Sequence, residues 1–248
     1  MNFSVILSKE VVAKNIVTLK FSFDRRVYAG QFAMVWAPGK GEIPISFSHT
    51  GDPKGITIKN YGDMSAPIVA LNAGERIFFR GPYGNSFTKP KDGDYLLIGG
   101  GSGIASLAPL ISKNAHGIIS ARSMEDLFFL DKFEKSKIIA TTDDGSFGIK
   151  GNALDVLRTL DLEKFQDIYV CGPEKMMKGI YDYIRPKNIP AEFSLERPMK
   201  CAIGVCDSCS VNGIQICKTG PVFGMDSLRD FTEFGTTRLL LSGKRVNI

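Results

Sequence analysis

Four of the five cysteines lie between Cys201 and Cys217, spaced C-x4-C-x2-C-x7-C as Cys201, Cys206, Cys209 and Cys217. The first three match the plant-type [2Fe-2S] loop, whose fourth thiolate ligand stands further along the chain. A diiron cluster needs four thiolates, and the small residues Ala202, Gly204 and Ser208 let the backbone wrap close with its N–H groups aimed at sulfur. Two other readings stay open. One is a structural zinc with four cysteine ligands, although zinc usually takes two C-x2-C knuckles and only one is present. The other is four unligated thiols.

A second run, LLIGGGSGIASLAPL, puts Gly99, Gly100, Gly101, Ser102 and Gly103 at a strand-to-helix turn. A helix N-terminus and bare backbone N–H groups at such a turn can accept a pyrophosphate. The run departs from G-x-G-x-x-G because Ser106 takes the third glycine's place, and a tight turn that binds nothing is the alternative. Ligands of open parallel sheets lie beyond the carboxyl ends of the strands. Cys171-Gly172-Pro173 falls at one such end and Thr142-Asp143-Asp144-Gly145-Ser146 at another, so together they outline a crevice. A lone cysteine is more commonly just buried. Asp143 and Asp144 read as a solvated turn rather than a paired-carboxylate site. Nearer the N-terminus, Pro44-Ile45-Ser46 on a strand and Gly62-Asp63-Met64-Ser65 before a short helix are ordinary taken singly. Ser65 reads as an N-cap, and Gly81 to Asn85 as a turn.

These residues need elements to hold them. The alternation of VTLKFSF (Val17 to Phe23) is that of a half-buried strand, and further strands are expected at Phe32–Trp36, Ile45–Ser48, Gly55–Asn60 and Arg76–Arg80. With a single short helix expected at Ser65–Leu71, residues 1–92 read as an antiparallel β-barrel. After the polar linker Lys89–Asp94 the rhythm changes. Apolar strands YLLIGG, GIIS, KIIATT and DIYVCG alternate with helices expected at Ile104–Ser112, Glu125–Phe133, Ala153–Leu160 and Glu174–Arg185. Residues 93–197 therefore read as a parallel-sheet α/β nucleotide-binding domain. Residues 198–248 form a small cysteine-bearing segment with an unassigned tail.

The composition sets outer limits. The 248 residues are 44% hydrophobic and 23% charged, which suits a folded multidomain chain. A charge of +5, from 31 basic and 26 acidic residues scattered among one another, lacks the concentrated basic face of nucleic-acid binders. Glycines interrupt the most apolar stretch, Tyr95–Ile111, so no membrane span is expected. The N-terminus MNFSVILSKE carries no secretion signal, so a cytoplasmic protein is expected. Clustered cysteines there suggest metal ligation rather than disulfides. His49 and His116 read as satisfied histidines, and Trp36 and the phenylalanines as core. Arg122, at a strand end, could meet a 2′-phosphate or merely cap its loop.

Taken in order, the barrel, GGGSGIA with CGP, and the cysteine cluster resemble the ferredoxin reductase-like flavoproteins. TDDGS with GIKG, SLERPMKCAIGVCDSC and ICKTGPVF resemble, more closely, the electron-transfer subunits of type B dihydroorotate dehydrogenases. The resemblance covers the chain to about Phe223. It implies FAD between the two domains, with Pro44, Ile45 and Ser46 lining the isoalloxazine and Ile58, Lys59 and Asn60 running alongside it. It further implies that Gly62, Met64 and Ser65 hold the pyrophosphate. Gly99 to Gly103 with Cys171, Gly172 and Pro173 would border NAD, and the four cysteines would carry [2Fe-2S]. The implied activity is an oxidoreductase relay in pyrimidine biosynthesis, from dihydroorotate through an FMN-containing catalytic subunit, the cluster and FAD to NAD. The implied assembly has two chains of each kind, and no side chain here is expected to act as a catalytic acid or base. The chain departs from the pattern at Ile43, where an arginine often precedes the proline, at Met64 and Ser106, and in the short gap before Cys217. Nucleotide-oxidising subunits of hydrogenases or anaerobic sulfite reductases fit in part. A redox-silent, zinc-stabilised binding protein is the rival of another class.

Overall fold

The computed structural model describes residues 2–240 and 242–248. Six antiparallel strands close the barrel: β1 (Asn2–Ala13), β2 (Ile16–Phe21), β3 (Phe32–Ala37), β4 (Gly41–His49), β5 (Lys54–Lys59) and β6 (Arg76–Tyr83), in the order β1-β2-β5-β4-β3-β6. Leu19, Phe21, Val35, Phe47, Ile56 and Phe79 fill its interior. The short helix α1 (Ala66–Val69) precedes β6. Strand β1 escapes the sequence pattern because apolar residues point both ways. Ile6 is buried while its neighbours Val5 and Leu7 are exposed. Phe3 is 61% exposed, so not every phenylalanine is core. Trp36 is only partly buried, packed edge-on against Phe78.

The second sheet runs β10-β9-β8-β7-β11-β12-β15. Its strands are β7 (Tyr95–Gly100), β8 (Ala115–Ala121), β9 (Ile138–Thr142), β10 (Ile149–Lys150), β11 (Ile168–Cys171), β12 (Ala191–Ser194) and β15 (Val222–Gly224). All pair in parallel except β15, which runs antiparallel to β12. Every residue of β7 and β11 is buried, as expected of central parallel strands covered on both faces. Between β12 and β15 lie the small hairpin β13 (Ser210–Val211) and β14 (Ile214–Gln215) and the helix α5 (Ile216–Thr219). The cysteine-bearing segment thus supplies the edge strand of the sheet. After α6 (Met225–Leu228), the tail forms the hairpin β16 (Thr237–Leu239) and β17 (Arg245–Asn247).

Four helices, α2 (Ile104–Leu107), α3 (Ala153–Leu157), α4 (Glu174–Ile184) and α1, are shorter than the sequence suggests. Pro109 lacks the amide a longer α2 would need, and the chain tightens into a 3-10 turn at Ala108–Leu110. Helix α3 is fixed by a capping box in which the Asn152 side chain accepts the Asp155 amide and Asp155 answers the Asn152 amide. The helix expected over Glu125–Phe133 is absent. That stretch holds 3-10 turns at Met124–Asp126 and Leu130–Lys132, with Phe129 left-handed at φ 64. Leu127, Phe128 and Phe129 all bury in succession, which a helix with one apolar face cannot do. Among the described residues, no helix is long and apolar enough to cross a membrane.

Candidate functional site: a cleft beside a cysteine loop

Between barrel and sheet runs a cleft of about 590 Å³, within the range of small-molecule and cofactor sites. The barrel wall contributes Pro44, Ile45 and Ser46 from β4, Thr57, Ile58 and Lys59 from β5, and Tyr61 and Ser65. The sheet wall contributes Ser102, Gly103, Cys171 and Pro173. Two contacts hold the walls in register: the Lys59 ammonium lies 2.6 Å from the Asp126 carboxylate, and the Tyr61 and Ser102 hydroxyls are 3.2 Å apart.

The remaining residues singled out in the sequence stand behind this lining. Asn60 accepts the Gly62 amide at 2.9 Å, shaping a turn in which Gly62 sits at φ +103. Ser65 is not a side-chain N-cap. Its hydroxyl accepts the Tyr61 amide at 2.6 Å, closing the same turn from within. Met64 packs toward Gly41. Gly99 and Gly100 are buried in β7, and Gly100 and Gly172 pack against Met176. Gly101 lies just outside the lining. At Gly103 a Cβ would come 2.3 Å from the Cys171 carbonyl oxygen, so this position tolerates only glycine.

The far end of the cleft adds Glu196 and Arg197, which follow β12 in the run Leu195–Met199. The Cys171 thiol points at Glu196, 3.8 Å from Oε1. Burial, reinforced by the Glu196 charge, pushes the Cys171 pKa up, so the group stays a neutral thiol. Glu196 is accessible from the cleft yet walled by protein elsewhere, and this desolvation raises its own pKa. Arg197 and Glu174 form a bidentate ion pair, with Nε to Oε1 at 2.6 Å and Nη2 to Oε2 at 2.8 Å, almost fully buried. Arg197 also donates to the Thr237 carbonyl at 2.8 Å, tying the tail hairpin to this wall. Neither Tyr61 nor the Glu196-Arg197 pair was marked by spacing. Glu196 and Arg197 stand in the run SLERPMKC that carries the resemblance, whereas Tyr61 has only its adjacency to the Asn60 turn.

The cysteine loop begins two residues after Met199, itself a cleft residue. Ala202, Gly204 and Asp207 take left-handed backbone angles, and the amides of Ile203 and Val205 turn inward to the Cys201 sulfur at 3.5 Å each. The Cys217 amide donates to the Cys209 sulfur at 3.4 Å. Burial opposes ionisation of Cys201, but those two amides and Cys206 outweigh it and bring its pKa down to about 6. Burial and Cys209 push Cys217 up to about 12. Cys206 stands next to Cys201 and Cys209 next to Cys217, so the thiols neighbour one another in two pairs. Two thiolate pairs with inward amides fit a diiron cluster, which takes two ligands at each iron. Among the described residues, no three His, Cys, Asp or Glu gather closely enough to hold a metal ion. The guanidinium of Arg80, held by Glu42 at 2.6 Å, donates to the Cys201 carbonyl at 3.2 Å and joins the barrel to the loop.

A closed antiparallel barrel, a parallel sheet and a cleft between them define the ferredoxin reductase class of fold. The chain superposes with TM-score 0.77 on an NADH-dependent reduced ferredoxin-NADP oxidoreductase structure studied for flavin-based electron bifurcation, at 26% identity over 94% of each chain. It shares the fold of phthalate dioxygenase reductase at TM-score 0.60 and 16% identity, covering the whole of this chain and 76% of that one. Residues 196–229 match the model of the iron-sulfur cluster binding domain of dihydroorotate dehydrogenase B. A Thermoplasma acidophilum protein named "probable dihydroorotate dehydrogenase B (NAD(+)), electron transfer subunit" is 50% identical, over 94% of this chain and 93% of its own. A protein of the same name from Archaeoglobus fulgidus is 39% identical, over 92% and 99%. The chain belongs to the family of dihydroorotate dehydrogenase B electron transfer subunits.

Proposed function

We propose that this chain carries electrons between a [2Fe-2S] cluster on Cys201, Cys206, Cys209 and Cys217 and NAD, by way of FAD held in the cleft. One observation carries the reading: a single cleft is lined jointly by Pro44–Ser46, Ser102–Gly103, Cys171 and Met199, and the cysteine loop opens two residues beyond Met199. Flavin supplies the exchange between a two-electron hydride and the single electrons an iron–sulfur cluster accepts.

The chain's own residues bind and orient. Pro44, Ile45, Ser46 and Ile58 offer a mostly apolar wall for a flat ring, and the loop closed by Asn60 and Ser65 presents backbone at its edge. Gly103, packed directly on the Cys171 carbonyl, keeps the two strand ends together where a nicotinamide nucleotide would lie. The neutral Cys171 thiol and Glu196 supply polar contacts at the end of the cleft without a nucleophile. Gly62 and Met64 shape the phosphate loop, and Gly99, Gly100, Gly101, Gly172 and Pro173 fix the strand ends.

The partner is a catalytic subunit that oxidises dihydroorotate on FMN, in an assembly of two chains of each kind, within the cytoplasm. The relatives' name, electron transfer subunit, supports such a partner. The test is anaerobic purification, with absorption spectra before and after dithionite and assay of flavin, iron, sulfide and zinc. About one FAD, two iron and two sulfide per chain are expected. A colourless protein holding zinc overturns the proposal.

A further inference from the structure

A cation beside Gly62–Ser65 would strengthen the hold on a dinucleotide's pyrophosphate, and among the described residues none of the cations that line the cleft is free on that side. On the barrel side Ile43 is apolar, and Lys59 is held by Asp126 at 2.6 Å with both side chains about one-fifth exposed. Across the cleft, Arg197 is locked to Glu174, and Lys175 and Arg238 line the same wall beside that pair rather than beside Gly62–Ser65. Arg80 is engaged by Glu42 and the cysteine loop. Within the loop itself stands a carboxylate, Asp63, which adds negative charge where a phosphate would sit.

The β3–β4 turn places a cation beside that loop. Ala37-Pro38-Gly39-Lys40 has proline second, glycine third at φ +70, and the Lys40 amide donating to the Ala37 carbonyl at 3.0 Å, the pattern of a type II turn. Gly41 follows at φ +126, and a Cβ there would lie 3.6 Å from the Met64 methyl. The tip therefore leans on the loop, and Lys40 Nζ reaches to 3.8 Å from the Asp63 carboxylate, with the Lys40 side chain about half and the Asp63 side chain almost wholly in solvent. Such an exposed pair has little energy of its own. Its geometry nevertheless shows that the Lys40 ammonium reaches the rim of Gly62–Ser65.

We propose that Lys40, delivered by the β3–β4 turn and braced by Met64 against Gly41, is the cation that neutralises the FAD pyrophosphate in this chain. The proposal rests on the flavin reading above. On binding, Lys40 exchanges Asp63 for phosphate oxygens, a charge-assisted contact. Asp63 is then a competitor rather than a partner.

The test is FAD titration of the deflavinated full-length chain, followed by flavin fluorescence, for the wild type, Lys40→Gln, Lys40→Arg and Asp63→Asn. Lys40→Gln should weaken FAD about ten-fold or more, with a reduced salt dependence, and Lys40→Arg should restore binding to within about three-fold. Asp63→Asn should leave FAD binding unchanged or tighter. Riboflavin, which has no phosphate, should bind Lys40→Gln and wild type alike. Lys40→Gln within about two-fold of wild type overturns the proposal. So does equal weakening by Lys40→Gln and Asp63→Asn, which would mark a purely structural ion pair. A wild-type chain that binds no FAD refutes the flavin reading itself, a distinguishable result.

Discussion

Arg197→Met is the perturbation with the largest effect legible in this structure. The guanidinium and the Glu174 carboxylate are 1% and 5% exposed, and Arg197 also donates to the carbonyls of Thr237 and Glu233 while the Gly235 amide reaches Glu174. Removing one member of a buried pair leaves an uncompensated charge, at a cost of about 3–5 kcal/mol. At roughly 2–4 °C per kcal/mol for a chain of this size, the thermal midpoint should fall by about 6–20 °C. Replacing both members, Glu174→Met with Arg197→Met, should cost much less than the sum of the single changes, because no charge is then stranded. Burial already holds the Glu174 pKa above its ordinary value despite Arg197. An acid whose folded pKa is raised favours the fold below its unfolded pKa and loses that contribution as pH rises through the folded value. Without Arg197 the rise is larger, so the Arg197→Met defect should shrink as pH is lowered toward protonation of Glu174. Scanning calorimetry of the four proteins at two pH values decides it. A fall below about 2 °C, or additive losses in the double variant, would refute the reasoning.

Cys209→Ser should take iron from about two per chain to near zero while FAD absorption persists, read by metal analysis and visible spectra. Gly103→Ala places a methyl 2.3 Å from a main-chain carbonyl that no rotamer can relieve. It should cost about 2 kcal/mol or more in denaturant unfolding and abolish reduction of the flavin by NADH. His49 is held neutral, its pKa lowered to about 4 by burial first and then by Lys20 and Lys132. The unfolded chain binds that proton below about pH 6.5, so stability should decline as pH falls from 6.5 through 4. His49→Gln should flatten that slope in pH-dependent melts.

The parts of this fold legible in the sequence are those where one local rule decides. Fully buried parallel strands show as apolar runs at Tyr95–Gly100 and Ile168–Cys171, and cysteine spacing announces a metal loop whatever surrounds it. Strand β1 leaves no clear sequence signal because Phe3, Val5 and Leu7 alternate onto the outer face while Ile6 faces in, so apolar residues occupy both faces. The run Leu127–Phe129 looked helical because its tertiary burial on every side has no local signature. Strand β15 is three residues long, and its place depends on pairing Ser194 with Val222 and on Asn85 bonding both the amide and the carbonyl of Val222. Glu196, Arg197 and Tyr61 gain meaning only from partners far along the chain, and Lys40 only from a turn leaning on a loop more than twenty residues away.

The cysteine segment touches the cleft at both of its ends. Met199 lines the cleft two residues before Cys201, and Pro221 lines it four residues after Cys217. Two residues of extended chain span at most about 7 Å, so the first thiolate cannot stand far from the cleft wall. Pro221 leads into β15, which is fixed to β12, and β12 runs on through Glu196 and Arg197 to Met199. The loop is therefore closed on itself through the sheet, with the Glu174–Arg197 pair at its base and Arg80 bonding its first cysteine from the barrel. A cluster held there would keep a fixed distance to a cofactor in the cleft. Electron transfer depends on that distance, whereas the chain's own redox-inert residues need only preserve it. Loosening Arg197 should accordingly slow cluster-to-flavin transfer in stopped-flow reduction at temperatures well below the melting transition, with cluster and flavin contents unchanged. An unaltered rate in Arg197→Met would show that the loop holds its place without this anchor.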